Sequence, residues 1–366
     1  MSSTQLYYTL KWPKLSPPIV HGILRSHLVM MEAWLEECLW LTQHNFPEAF
    51  QQSWAVIQTA SLEERQNFLL SPTIFSLLSS AIHNMDPDEH LKVTNEYSKD
   101  IKKQRGEIKG WTQLTDKQFI NTRKTIITTT IADSIIIDFD SPQALRVDLT
   151  SSVFSETPQP VSTELRQQII DKLSQAMELI DSVASTAGQL IRNTTRCIRI
   201  RVSESENIAA ETDPSTIGEM RLLNYHLAEK DIVDVADALI HESLHSFLAM
   251  YELQHGSFVS FSQTSLVRPV SPWSGNPIPY NAFTHAVYIY FALFEFYKLL
   301  YHSPLMPNDK TNIARRMNQC SRGFRMTDIV RALSMLGQSP DEIMMQYQLM
   351  SEDVQSYYQA ETEAVC

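Results

Sequence analysis

The sequence predicts an α+β fold that is mainly helical. A helical N-terminal part is followed by a small sheet packed on a long helix carrying an HExxH pattern, and then by further C-terminal helices. Three observations predict it. Apolar residues recur at helical spacing near both ends of the chain. Short Ile/Thr-rich or alternating segments lie between them. The chain holds only 9 glycines, none in a GxGxxG or P-loop arrangement, which counts against a nucleotide-binding parallel α/β fold.

Taken in order, Met1 to Pro18 is polar and proline-containing, with no apolar run or small-residue cleavage site, so no signal peptide is expected. Ile19 to Thr42 reads as a helix, with Leu24, Leu28, Met31, Leu35 and Cys38 at helical spacing. Asn45 to Asn84 reads as more helices, broken at Pro47 and Pro72. The charged run Asp86 to Gly110 predicts an exposed helix or hinge. A domain boundary is placed there, between a helical region 1–110 and a catalytic domain 111–366.

Strand signals follow at Lys124 to Phe139, Ala144 to Leu149, Arg196 to Val202 and Ile217 to Tyr225. Between them, Thr163 to Ala187 is an amphipathic helix with Leu165, Ile169, Leu173, Met177, Ile180 and Ala184 on one stripe. Asp231 to Gln254 forms a helix that Gly256 ends. A proline-bearing loop from Leu266 leads to helices over Tyr280 to Tyr301 and Asn308 to Leu336, and the acidic tail from Pro340 is helical. Ala282 to Tyr301 is about as long as a membrane span, but His285, Glu295 and Lys298 are costly in lipid, so a buried core helix and no membrane partner are expected.

With 366 residues, 43% hydrophobic and 20% charged, the composition is that of an ordinary globular chain. A formal charge of −12 argues against nucleic acid as a partner. Cys38, Cys197, Cys320 and Cys366 show no CxxC spacing, which excludes a disulfide framework or thiolate zinc knuckle and fits a reducing, cytoplasmic setting.

The chemistry lies in His241-Glu242-Ser243-Leu244-His245. Residues four apart on a helix differ by about 40° around the axis and one turn along it, so His241 and His245 can point two imidazoles at one divalent metal. Glu242, at the edge of that face, can contact a water on the metal as acid, base or orienting group. Ala238, Leu239, Leu244 and Leu248 predict that this helix is largely buried, and buried imidazoles need partners to offset desolvation. His285 is the preferred third ligand and Glu295 the alternative; about 15 Å apart along one helix, they do not serve one ion together.

The helix ALIHESLHSFLAMYE, the loop VRPVSPWSGNPIP and the helix NAFTHAVYIYFALFEFY occur in an order that resembles the HExxH-motif peptide-modification family found beside ribosomally synthesised peptide precursors. The resemblance covers roughly Ile217 to Lys298. It implies an iron(II), 2-oxoglutarate-dependent oxygenase that uses O2 to hydroxylate a peptide side chain at Cβ. The metal would be held by His241, His245 and His285, with Glu242 beside it. Ser274 and Ile278 stand where many relatives carry arginine. Arg268, Arg322 and Arg325 are therefore the candidates to anchor the 2-oxoglutarate carboxylate, because a guanidinium fork suits it. A zinc metallopeptidase with Glu242 as general base is the alternative. His226 follows the strand upstream of the HExxH helix. Trp273 lines a substrate pocket or anchors its loop, and the basic run Arg315 to Arg325 receives a leader peptide or is a solvated face.

Overall fold

The helices break at Pro47 and Pro72 as expected, and each proline occupies the first turn of the helix that follows, where its missing N–H costs nothing and its fixed φ suits the helix. The computed structural model describes residues 4–109, 118–120, 125–127, 130–132, 134–259, 268–305, 309–326, 329–336 and 341–365. Helices open the chain: α1 (Thr4–Thr9), α2 (Pro18–Asn45), α3 (Pro47–Ile57), α4 (Leu62–Leu69), α5 (Pro72–Asn84) and α6 (Pro87–Gln104). Strands β1 (Gln118–Ile120), β2 (Thr125–Ile127), β3 (Thr130–Ile131) and β4 (Ile135–Asp138) follow, then α7 (Pro142–Leu145), α8 (Thr163–Val183) and α9 (Ser185–Thr194). After β5 (Cys197–Arg201), β6 (Ala209–Glu211) and β7 (Glu219–Leu223) come α10 (Ile232–His255), α11 (Tyr280–His302), α12 (Lys310–Met326), α13 (Ile329–Leu336) and α14 (Asp341–Val365). The fold is thus mainly helical with a small mixed sheet, as the sequence predicts.

The residues group into two compact units. One, the sheet unit, comprises Ile23–Met177 and Ile191–Met250; the other, the helical unit, comprises Met1–Gly22, Glu178–Leu190 and Tyr251–Cys366. In the sheet unit the strand order is β3-β4-β5-β7-β6, with β4, β5 and β7 parallel and the two edge strands antiparallel. Register sets Asp138 opposite Arg199, Arg199 opposite Arg221 and Arg221 opposite Glu211, so one row of charged residues crosses four strands.

That row is buried. Arg199 donates from Nε to Glu219 at 2.6 Å and from Nη1 to Asp138. Arg221 donates from Nε to the other oxygen of Glu219 at 2.6 Å, from Nη1 to Glu211 at 2.9 Å and from Nη2 to Asp213 at 3.1 Å. Arg201 satisfies backbone carbonyls instead, those of Ala144, Arg146 and Glu156. The guanidinium carbons of Arg146, Arg201 and Arg221 lie 5.0, 4.9 and 4.7 Å from the ring centroid of Phe154, an arrangement that favours cations over its π face. The alternate residues Ile198, Ile200, Met220 and Leu222 are apolar and also buried. Strand alternation here separates two interior faces rather than core from solvent.

Three expectations need correction. No strand covers Ala144 to Leu149. Ser141 caps α7 by accepting from the Ala144 N–H at 3.1 Å, Pro142 starts the helix, and beyond it Leu145, Val147 and Leu149 turn outward. The charged α6 is not wholly exposed, because His90, Val93, Thr94, Tyr97, Ser98 and Ile101 form a buried face. The strand expected to reach Tyr225 stops at Leu223, because Asn224 adopts φ of +56° and turns the chain. The buried Asn224 side chain then bonds Ser203, Ser205 and Asn207, stitching the β5–β6 connection. Part of the Lys124 to Phe139 strand prediction lies outside the described residues; β2, β3 and β4 fall within it. Among the described residues no helix is long and apolar enough to cross a membrane, and α11 is buried along most of its length.

Two stability predictions follow from this unit. Arg199→Ala leaves Asp138 and Glu219 as buried carboxylates without their shared cation, and is expected to cost about 3–5 kcal/mol in urea unfolding. A loss below 1 kcal/mol contradicts the ladder's role. His27 is buried, and burial together with nearby Arg196 pulls its pKa down to about 4 from 6.5. The unfolded chain binds that proton more readily, so stability is full above pH 6.5 and falls as pH drops towards 4. His27→Leu is expected to flatten that slope by about 1–3 kcal/mol in pH-dependent denaturation.

Candidate metal site

Helix α10 begins with a reciprocal cap. Asp231 accepts from the Asp234 N–H at 2.7 Å, while Asp234 accepts from the Asp231 N–H at 3.1 Å, satisfying two N-terminal donors at once. Its end comes at Gly256, where φ of +93° is a conformation that side chains disfavour. Val233, Val235, Ala236, Ala238, Leu239, Ile240, Leu244, Phe247 and Leu248 are all buried. Two buried serines on this helix bond to residues at the starts of strands: Ser243 to the Thr195 hydroxyl at 2.8 Å, and Ser246 to the Gly218 N–H at 3.2 Å.

One stripe of α10 remains half-buried rather than buried. It runs through Asp234, Asp237, His241, His245 and Ala249, at spacings of three and four residues. The His241 and His245 rings lie side by side on it, with centroids 5.2 Å apart and planes inclined at 54°. Glu242 is buried, and the single Thr212 hydroxyl proton is shared between its Oε2 at 2.9 Å and its carbonyl at 3.1 Å. Burial pushes the Glu242 carboxyl above its ordinary pKa, against the opposing pull of His241 and Thr212. Tyr225 is pushed up strongly by burial and by the carboxylates of Asp237, Glu242 and Asp234.

A small cavity of about 10 Å³, room for one water, opens in the same unit between Ile169 and Leu173 of α8, Ile200 and Leu222 of the sheet, and Val235 of α10. Lys172, Tyr225 and His226 complete its lining. The Lys172 ammonium is tied to the carbonyls of Tyr225 and Leu227 at 2.9 and 3.1 Å, so it fixes the turn after β7. Burial and neighbouring Lys172 lower the His226 pKa.

The remaining expected residues belong to the helical unit. His285, in the second turn of α11, places Nε2 2.8 Å from Glu252 Oε2, and Glu252 Oε1 accepts from the Phe258 N–H at 2.8 Å. Glu295 is buried and bonded to Lys298 at 2.5 Å. Arg268 and Arg322 are exposed; Arg325 is exposed too, bonded to Asn318 at 2.7 Å and stacked 4.1 Å over Tyr358. Trp273 is a packing anchor: its Nε1 donates to the Cys320 carbonyl at 2.7 Å and its ring stacks on Tyr290 with centroids 4.5 Å apart. A Cβ at Gly323 would meet that ring at 2.4 Å, so this helix position admits no side chain as built.

His241 and His245 fit two ligand positions of a divalent cation by type, spacing and partial exposure. Among the described residues no group of three or more His, Cys, Asp or Glu side chains is gathered to hold an ion. The chain matches no protein-family model, and no curated protein matches it in sequence. Two partners escaped sequence reasoning. Thr212 lies 30 residues from Glu242, and nothing in its local sequence marks it. Glu252 was legible in principle: eleven residues after His241, it returns to the same helical stripe within about 20°.

Proposed function

We propose that this chain is a metalloenzyme in which His241 and His245 bind a divalent cation and Glu242 serves the reaction beside it. The observation that carries this is the pairing of two half-buried imidazoles, four residues apart, with a carboxylate whose orientation is fixed by a second strand-end residue. The cation would supply Lewis-acid or redox capacity at a position the two imidazoles define. Glu242, buried and with Oε2 held by Thr212, is the carboxylate that would act as acid, base or orienting group beside the cation.

The specific reading is an iron(II), 2-oxoglutarate-dependent oxygenase acting on a peptide side chain at Cβ. Its support is the sequence order of HExxH, SPW and His285. The third ligand in this reading is His285, on the sequence order alone. Arg268, Arg322 and Arg325 remain the candidate anchors for the 2-oxoglutarate carboxylate. The second reading is a zinc peptidase in which Glu242, buried and bonded by Thr212, would take a proton from water.

Anaerobic Fe(II) titration is expected to show stoichiometric binding, weakened by about 10–100-fold or more in His241→Asn. Adding 2-oxoglutarate is expected to give a weak visible charge-transfer band, and oxygen to release succinate. Zinc-supported peptide cleavage without succinate overturns the oxygenase reading in favour of the peptidase. Binding unchanged in His241→Asn overturns both.

A further inference from the structure

We infer that Thr212 is the positioning residue for Glu242 and that the buried charge row of the sheet holds Thr212 in place. This deepens the proposed metal site and rests on it. Thr212 directly follows β6 and stands between two acidic residues that grip the same guanidinium: Glu211 and Asp213 take Nη1 and Nη2 of Arg221 at 2.9 and 3.1 Å. Glu211 is further held by the Ser151 hydroxyl and by the Ser152 N–H at 2.7 Å, and Asp213 by the Ser215 N–H at 2.8 Å. The backbone on both sides of Thr212 is therefore pinned.

From that fixed point the Thr212 hydroxyl reaches both the carboxylate and the carbonyl of Glu242. The contact to Oε2 aims the carboxylate, and the contact to the carbonyl ties the same hydroxyl to the helix backbone. With Oε2 occupied, Oε1 is the oxygen that can face water or substrate beside the metal. A carboxylate next to a metal works only when it is oriented, and a hydroxyl delivered from a second element orients it without adding charge. The two acidic neighbours of Thr212 do not compete for this role, because Arg221 and the serines occupy them.

The test is cobalt(II) substitution in the full chain, read by visible absorption, which reports ligand geometry without any substrate. Thr212→Val removes the donor at nearly constant volume and is expected to change the Co(II) spectrum in the same direction as Glu242→Gln. Thr212→Ser is expected to restore the wild-type spectrum, and Thr212→Ala serves as a second deletion should valine disturb folding. Thermal unfolding of the variants within a few degrees of wild type separates positioning from general damage. A wild-type spectrum in both Thr212→Val and Thr212→Ala, or failure of serine to restore it, overturns the role of Thr212. An unchanged spectrum in Glu242→Gln overturns it as well. If His241→Asn retains the wild-type Co(II) spectrum, the metal site itself is wrong, whereas loss of that spectrum with a silent Thr212 isolates the failure to this inference.

Discussion

Glu219 accepts from Arg199 with one carboxylate oxygen and from Arg221 with the other, and it does so with almost no exposure to water. Desolvating four or five charges together is expensive, and the arrangement is tolerable only because each is met by an opposite charge or a backbone donor at short range. That requirement constrains the sheet. β4 must supply Asp138, β5 Arg199, β7 Glu219 and Arg221, and β6 Glu211, all in one register. A slip by one residue would carry every one of these side chains to the opposite, apolar face.

The row ends beside the HExxH helix, where Thr212, directly after β6, bonds Glu242. Arg221 fixes Glu211 and Asp213, these fix Thr212, and Thr212 fixes Glu242. Elsewhere on α10 the serines at 243 and 246 are bonded to the starts of β5 and β7. Helix rotation is thereby specified from several points, and the His241–His245 stripe is the line left partly open. Buried polar bonds here give direction; the apolar side chains around them give most of the burial.

Local periodicity made much of this legible. The i, i+4 histidines, the amphipathic stripe of α8, the apolar α11 and the alternation of β5 all report which residues share a face. None of them reports what covers that face. CIRIRV reads as a strand with one polar side, yet Arg199 and Arg201 are as buried as Ile198. The same limit explains Ala144 to Leu149, where alternation is present but Ser141-Pro142 starts a helical turn and the apolar residues face outward. Thr212 and Glu242 are joined across 30 residues by a hydroxyl, a pairing that periodicity does not encode. Glu252, in contrast, sits on a stripe that a helical wheel displays, whereas its bond to His285 joins two helices and has no signature in either one.

The central claim is that the half-buried imidazoles of His241 and His245 share one divalent cation. Diffraction from crystals grown with cobalt(II), collected above and below the cobalt absorption edge, tests it most directly. An anomalous peak about 2.0–2.2 Å from one ring nitrogen of each histidine is the result expected from imidazole coordination. A protein that binds cobalt only elsewhere, with both rings turned to protein partners, contradicts it.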